Sequence, residues 1–157
     1  MQTRLFTLVI ALTSVLAFAA VAFSQNHVGT WKLNLAKSSF SPGPAPKSQT
    51  LKIEAWGDDG LKYAADGVGP DGKPTHAEFQ AKYDGKDAAF KGNPDADTLA
   101  YKRIDANTLE ATTKMKGKTT LTAKVVVSKD GKTRTVTQTG TDAQGRTTKN
   151  VLVYEKQ

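Results

Sequence analysis

The feature that most constrains this chain is a rhythm. From Ser48 onward, short runs of alternating apolar and polar residues are broken by tight turns, about every ten residues. Alternation with period two sends successive side chains to opposite faces of a strand. In Gln49–Trp56, Leu51, Ile53 and Ala55 share one face, and Lys52, Glu54 and Trp56 the other. In Thr75–Tyr83, Ala77, Phe79, Ala81 and Tyr83 oppose His76, Glu78, Gln80 and Lys82. Thr119–Ser128 places Leu121, Ala123, Val125 and Val127 together. Asp84-Gly85 and Lys129-Asp130-Gly131-Lys132 are hairpin signals, and Gly57-Asp58-Asp59-Gly60 is a turn. Hairpins in series place sequence neighbours side by side, which predicts an antiparallel meander. A long meander leaves two bare edges unless it curls and closes. The expected fold is therefore all-β, a single up-and-down antiparallel barrel of about eight to ten strands.

The meander opens at His27-Val28-Gly29-Thr30-Trp31-Lys32-Leu33-Asn34-Leu35, where Gly29, Trp31, Leu33 and Leu35 form an apolar face. Residues 36–47 carry Pro42, Pro44 and Pro46, which exclude a helix and favour an extended crossing. Phe40 in that crossing is expected to plug back onto the sheet. The segment is either plain connection or a flap over an opening.

The start of the chain reads as targeting. Arg4 precedes the apolar run Leu5–Ala22, and small residues follow at Ala20-Val21-Ala22 and Ala22-Phe23-Ser24. We take residues 1–24 as a signal peptide and 25–157 as one domain, expected to be periplasmic or secreted. An uncleaved anchor is the competing reading, although the run is short for a span of about 20 residues. The chain has no Cys, so an exported domain must rest on its core alone. A domain of this size buries about two-thirds of its unfolded surface, which is enough.

Lys and Arg number 22 against 15 Asp and Glu, a net charge of +7. The Lys residues are spread nearly one per strand or turn, as solvated strand faces and guarded sheet edges require. No nucleic-acid partner is expected, nor stable membrane insertion once the leader is gone: an outer-membrane barrel needs a continuous apolar belt outside. A monomer is expected.

Gly29-Thr30-Trp31-Lys32-Leu33 resembles the Gly-any-Trp start of lipocalins and the first strand of intracellular fatty-acid-binding proteins. Val151-Leu152-Val153-Tyr154-Glu155-Lys156 is similar to the final strand of the latter, and the whole chain resembles small exported bacterial proteins described as lipocalin-like. The resemblance implies a calycin-type barrel with an internal cavity for a small apolar ligand. It implies that Trp31 packs across the closed end under a basic residue, Arg146 or Lys149. Fatty-acid-binding proteins carry Arg-any-Tyr in the last strand to hold a carboxylate. Tyr154 matches that Tyr, but Leu152 stands at the Arg position, and the helical lid is replaced by the Pro-rich crossing.

The inward faces are rich in Ala, which either leaves a void near the axis or lets the barrel flatten. Arg134 shares a face with Val136 and Gln138, opposite Thr133, Thr135, Thr137 and Thr139. With Thr outside, Arg134 and Gln138 point inward, where Arg134 meets a ligand carboxylate or phosphate; in the other register they decorate the surface. Tyr63, Tyr101 and Tyr154 are further ligand-binding candidates, and Gly29, Trp31 and Arg146 are structural ones. His27 and His76 lack ligand-like neighbours, so no metal is expected. The Asp residues sit in turns, no nucleophile elbow or phosphate loop occurs, and neither cofactor nor catalysis is expected. Two functions follow. One is an exported carrier of an apolar or amphipathic ligand. The alternative is a packed, non-catalytic interaction domain, which contacts anionic cell-surface partners through its basic exterior and Trp56.

Overall fold

The structure, a computed structural model, describes residues 26–142 and 144–157. The expected signal peptide, residues 1–24, lies outside the described residues.

Eleven strands follow one another: β1 (Gly29–Leu33), β2 (Ser39–Ser41), β3 (Ser48–Trp56), β4 (Gly60–Val68), β5 (Pro74–Lys82), β6 (Ala88–Lys91), β7 (Thr98–Asp105), β8 (Thr108–Met115), β9 (Lys118–Val127), β10 (Thr133–Thr141) and β11 (Thr147–Lys156). From β3 to β11 each strand pairs antiparallel with the next. β1 pairs with β3 on one side and with β11 on the other, so the sheet shuts on itself. The chain is thus an up-and-down antiparallel barrel of ten staves. The eleventh strand arises because the first stave is split: β11 holds β1 through Lys156, Glu155 and Tyr154, and β2 through Val151, Asn150 and Lys149.

The split corrects one expectation. Leu35 does not continue the apolar face of β1; it is 40% exposed, in a 3-10 turn over Leu35–Lys37. Asn34 causes the break, because its side chain accepts from the Lys37 amide and caps the turn as Ser, Asp and Asn do at helix starts. Phe40 plugs back onto the core as expected. Ala55, also expected inside, is exposed beside the β3–β4 turn.

The two ends of the barrel differ. Turns β3–β4, β5–β6, β7–β8 and β9–β10 gather at the end where β1 begins. There Trp31, Leu51, Ile53, Leu61, Leu109, Val125 and Val127 are almost wholly buried. The Pro-rich crossing, β4–β5, β6–β7, β8–β9 and β10–β11 ring the other end. Large side chains fill the first half, whereas Ala65, Ala77, Ala111 and Ala123 face inward toward the second.

Gly29 explains the Gly-any-Trp pattern. It has φ +136°, and a Cβ there would lie 2.6 Å from Lys156 Cε. The bare backbone lets the Lys156 stem cross over the Trp31 ring, with Nζ 5.1 Å from its centroid. Lys156 therefore takes the covering position expected of Arg146 or Lys149. Arg146 lies at the opposite end in the β10–β11 turn, tied to Asp142 at 2.7 Å. Lys149 pairs with Ser41 near the same open end. Alternation carries the reason: Lys156 lies two residues beyond inward-facing Tyr154.

Candidate functional site

A cavity of about 340 Å³ occupies the open half of the barrel. Phe40, Pro46, Asn93, Asp95 and Asp142 ring its mouth, and Arg134, Tyr101, Tyr154 and Tyr63 lie deeper. Ala on the inner faces has left a void rather than a flattened barrel. A hollow of about 470 Å³ on the outer wall is different in kind. It lies on the surface between Lys52, Lys62 and Lys91, of which Lys52 pairs with Glu54 and Lys91 with Glu78.

The neighbours of β10 settle its register. Arg134 pairs with Val127 on β9 and Tyr154 on β11, and paired residues share a face. Val127 and Tyr154 are core residues, so Arg134, Val136 and Gln138 point inward and the Thr series outward. The Arg missing from the last strand thus has a counterpart one strand away, beside Tyr154.

Arg134 is 1% exposed, at the cavity floor. Its Nη1 donates to His27 Nδ1 at 3.0 Å, and its Nη2 reaches the Tyr101 hydroxyl at 3.5 Å. A guanidinium cannot accept, so His27 Nδ1 carries no proton and the imidazole is neutral with its proton on Nε2. Burial first, and the Arg134 charge second, hold the His27 pKa down at about 3. His27 was not a sequence candidate, yet it is 0% exposed beneath the barrel, and its carbonyl accepts from Trp31 Nε1 at 3.1 Å. No periodic signal precedes β1 that finds it.

Among the described residues the Arg134 Nε has no hydrogen-bond partner. No carboxylate lies within ion-pair distance of Arg134 among the described residues. A buried charge left this way is costly.

The candidate tyrosines converge. Tyr63 stacks on Phe79 with centroids 4.5 Å apart, Phe90 meets Phe79 edge-on at 5.2 Å, and Tyr101 is tilted to it at 5.5 Å. The four rings come from β4, β5, β6 and β7 and form one aromatic wall. The remaining wall mixes aliphatic residues such as Leu99, Leu121, Val136 and Leu152 with small Ala111 and Ala123 and polar Gln138 and Asn150, with Asn150 Nδ2 donating to Gln138 Oε1 at 3.4 Å. The Tyr154 hydroxyl donates to Gln49 Oε1. Burial raises the pKa of Tyr63, Tyr101 and Tyr154, so all three stay protonated donors. The cavity therefore brings together Arg134, Gln138, Tyr63, Tyr101 and Tyr154. Gln49, Phe79 and Asn150 also line it; alternation puts Phe79 on the inward face with Ala77 and Asn150 on the face of Leu152 and Tyr154, but none of the three was among the ligand-binding candidates.

No protein-family model matches the sequence, and no curated protein matches it. Solved structures do match the fold. A redesigned β-barrel shares 13% identity over 87% of this chain and 96% of its own, with TM-score 0.52. The wild-type fluorescent protein UnaG shares 18% over 85% and 98%, with TM-score 0.52. Zebrafish ileal bile acid-binding protein complexed with cholic acid shares 15% over 84% and 99%, with TM-score 0.49. The chain has the lipocalin-like and fatty-acid-binding-protein-like fold, and at these identities the likeness is one of fold.

Proposed function

We propose that this protein binds a small apolar or amphipathic molecule inside its barrel and acts as an exported carrier rather than an enzyme. The observation that carries this reading is the cavity of about 340 Å³, within the size range of small-molecule sites. A mostly apolar lining with a few converging polar groups is the usual make-up of such a site. Arg134, Gln138, Tyr63, Tyr101 and Tyr154 are the proposed contacts. The interaction-domain alternative supposed a solidly packed barrel, and the cavity removes that premise. Trp56 is 37% exposed, but its neighbour Lys52 is engaged with Glu54.

The test is a titration with phenylnaphthylamine, a neutral apolar dye, read by fluorescence. We expect saturable binding of one dye per chain, abolished by Ala123→Phe, which fills the void, with the circular dichroism spectrum unchanged. Dye binding that Ala123→Phe leaves intact refutes the site. Export is part of the same proposal. Secretion by a bacterial host and a mature amino terminus at Gln25 support it; an intact Met1 terminus on exported protein counts against leader cleavage.

A further inference from the structure

Resting on the cavity reading, we infer that the natural ligand is a compact, planar, unsaturated mono-anion, with its charge at the Arg134 floor and its flat body along the Tyr63–Phe79–Phe90–Tyr101 wall.

The charge follows from what surrounds Arg134. Its side chain is almost wholly buried, its Nε is unpartnered, and its two bonds go to neutral groups, His27 Nδ1 and the Tyr101 hydroxyl. Neither bond supplies negative charge, and no carboxylate among the described residues does. Tyr101 sits at 3.5 Å, the outer limit of a hydrogen bond, so an incoming oxyanion displaces little by taking that place. A carboxylate or sulfonate supplies both the missing charge and the missing acceptor, through a charge-assisted bond. His27 beneath is buried and bonded to Arg134, so it holds the guanidinium from below.

The shape follows from the walls. Four rings on four consecutive strands cluster on one wall, stacked, edge-on and tilted about Phe79, and aromatic rings favour a further ring offset-stacked or edge-on. Ala111 and Ala123 on the facing wall leave room for such a body. Gln138 and Asn150, bonded to each other above Arg134, offer a polar edge for a second heteroatom. The volume, near the lower end of the usual range of roughly 300–1,000 Å³, accommodates a two- or three-ring body.

Calorimetry with three probes on the unaltered protein tests this: naphthoate, its neutral isostere naphthamide, and decanoate. We expect naphthoate to bind roughly ten- to a hundredfold more tightly than naphthamide, the range of one charged hydrogen bond. We expect it to exceed decanoate about fivefold, the range of an aromatic contact. An Arg134→Met variant that retains naphthamide affinity should lose the naphthoate advantage. Equal affinity for naphthoate and naphthamide overturns the anion assignment, and equal affinity for decanoate overturns the planar one; in both cases the cavity reading survives. No binding by any of the three overturns the cavity reading as well.

Discussion

Gly29→Ala is the sharpest perturbation of the closed end, and its size can be worked out beforehand. A residue other than Gly held at φ +136° carries about 1–3 kcal/mol of backbone strain. The added Cβ would meet Lys156 Cε at 2.6 Å, so the Lys stem must leave the Trp31 ring. Losing that cation–π contact removes about 0.5–1 kcal/mol. The expected total is about 1.5–4 kcal/mol, a large share of the stability of a typical domain. Urea unfolding followed by Trp fluorescence measures it; the midpoint should fall by about 1–2 M with an unchanged slope. Lys156→Ala divides the two contributions. Alone it should cost about 0.5–1 kcal/mol, and in its background Gly29→Ala should cost only the backbone part. Gly29→Ala within about 0.5 kcal/mol of the parent protein, below the strain range, would refute the reasoning.

Leu51→Ala and Leu109→Ala, at fully buried positions, should each cost about 2–5 kcal/mol, while Leu35→Ala in the exposed turn should stay within about 0.5 kcal/mol by the same urea assay. The His27 pKa is lowered in the folded state, so the unfolded chain takes up a proton that the folded chain refuses. Stability from this group is complete above pH 6.5 and is lost as pH falls toward about 3. The loss should approach 1.4 kcal/mol per pH unit, about the value of one full proton, and His27→Gln should flatten it. His76 works in the opposite sense, since its bond to Asp66 raises its pKa; it is exposed, and His76→Gln should leave the acid profile nearly unchanged. Tyr154→Phe, which orphans Gln49 Oε1, should cost about 1–3 kcal/mol and leave the far-ultraviolet spectrum intact.

The architecture was legible because turn chemistry and alternation are local. Asp130-Gly131 and Asp84-Gly85 announce reversals wherever they stand, and period-two patterns fix faces once a single residue is placed. The direction of β10 was not legible. Arg134, Val136 and Gln138 are as amphipathic as the Thr series opposite, and only the pairing of Arg134 with Val127 and Tyr154 breaks the tie. The floor was not legible either. His27 meets Arg134 across 107 positions of sequence, and such a contact leaves no trace in spacing. Lys156 was within reach of alternation, since it continues the inward face of Tyr154. Family likeness drew attention to Arg146 and Lys149 instead, at the wrong end of the barrel.

The seam between β1 and β11 has a practical corollary. Gln157 donates its amide to the Thr30 carbonyl at 3.0 Å, while His27 lies under Trp31 close by, so both extremities of the described polypeptide emerge on one side. A short Gly-Ser bridge could join them into a ring, to be cut afresh at Lys116-Gly117 on the far rim. Such a permutant would keep the indole sealed while freeing the sheet at the rim of the cavity.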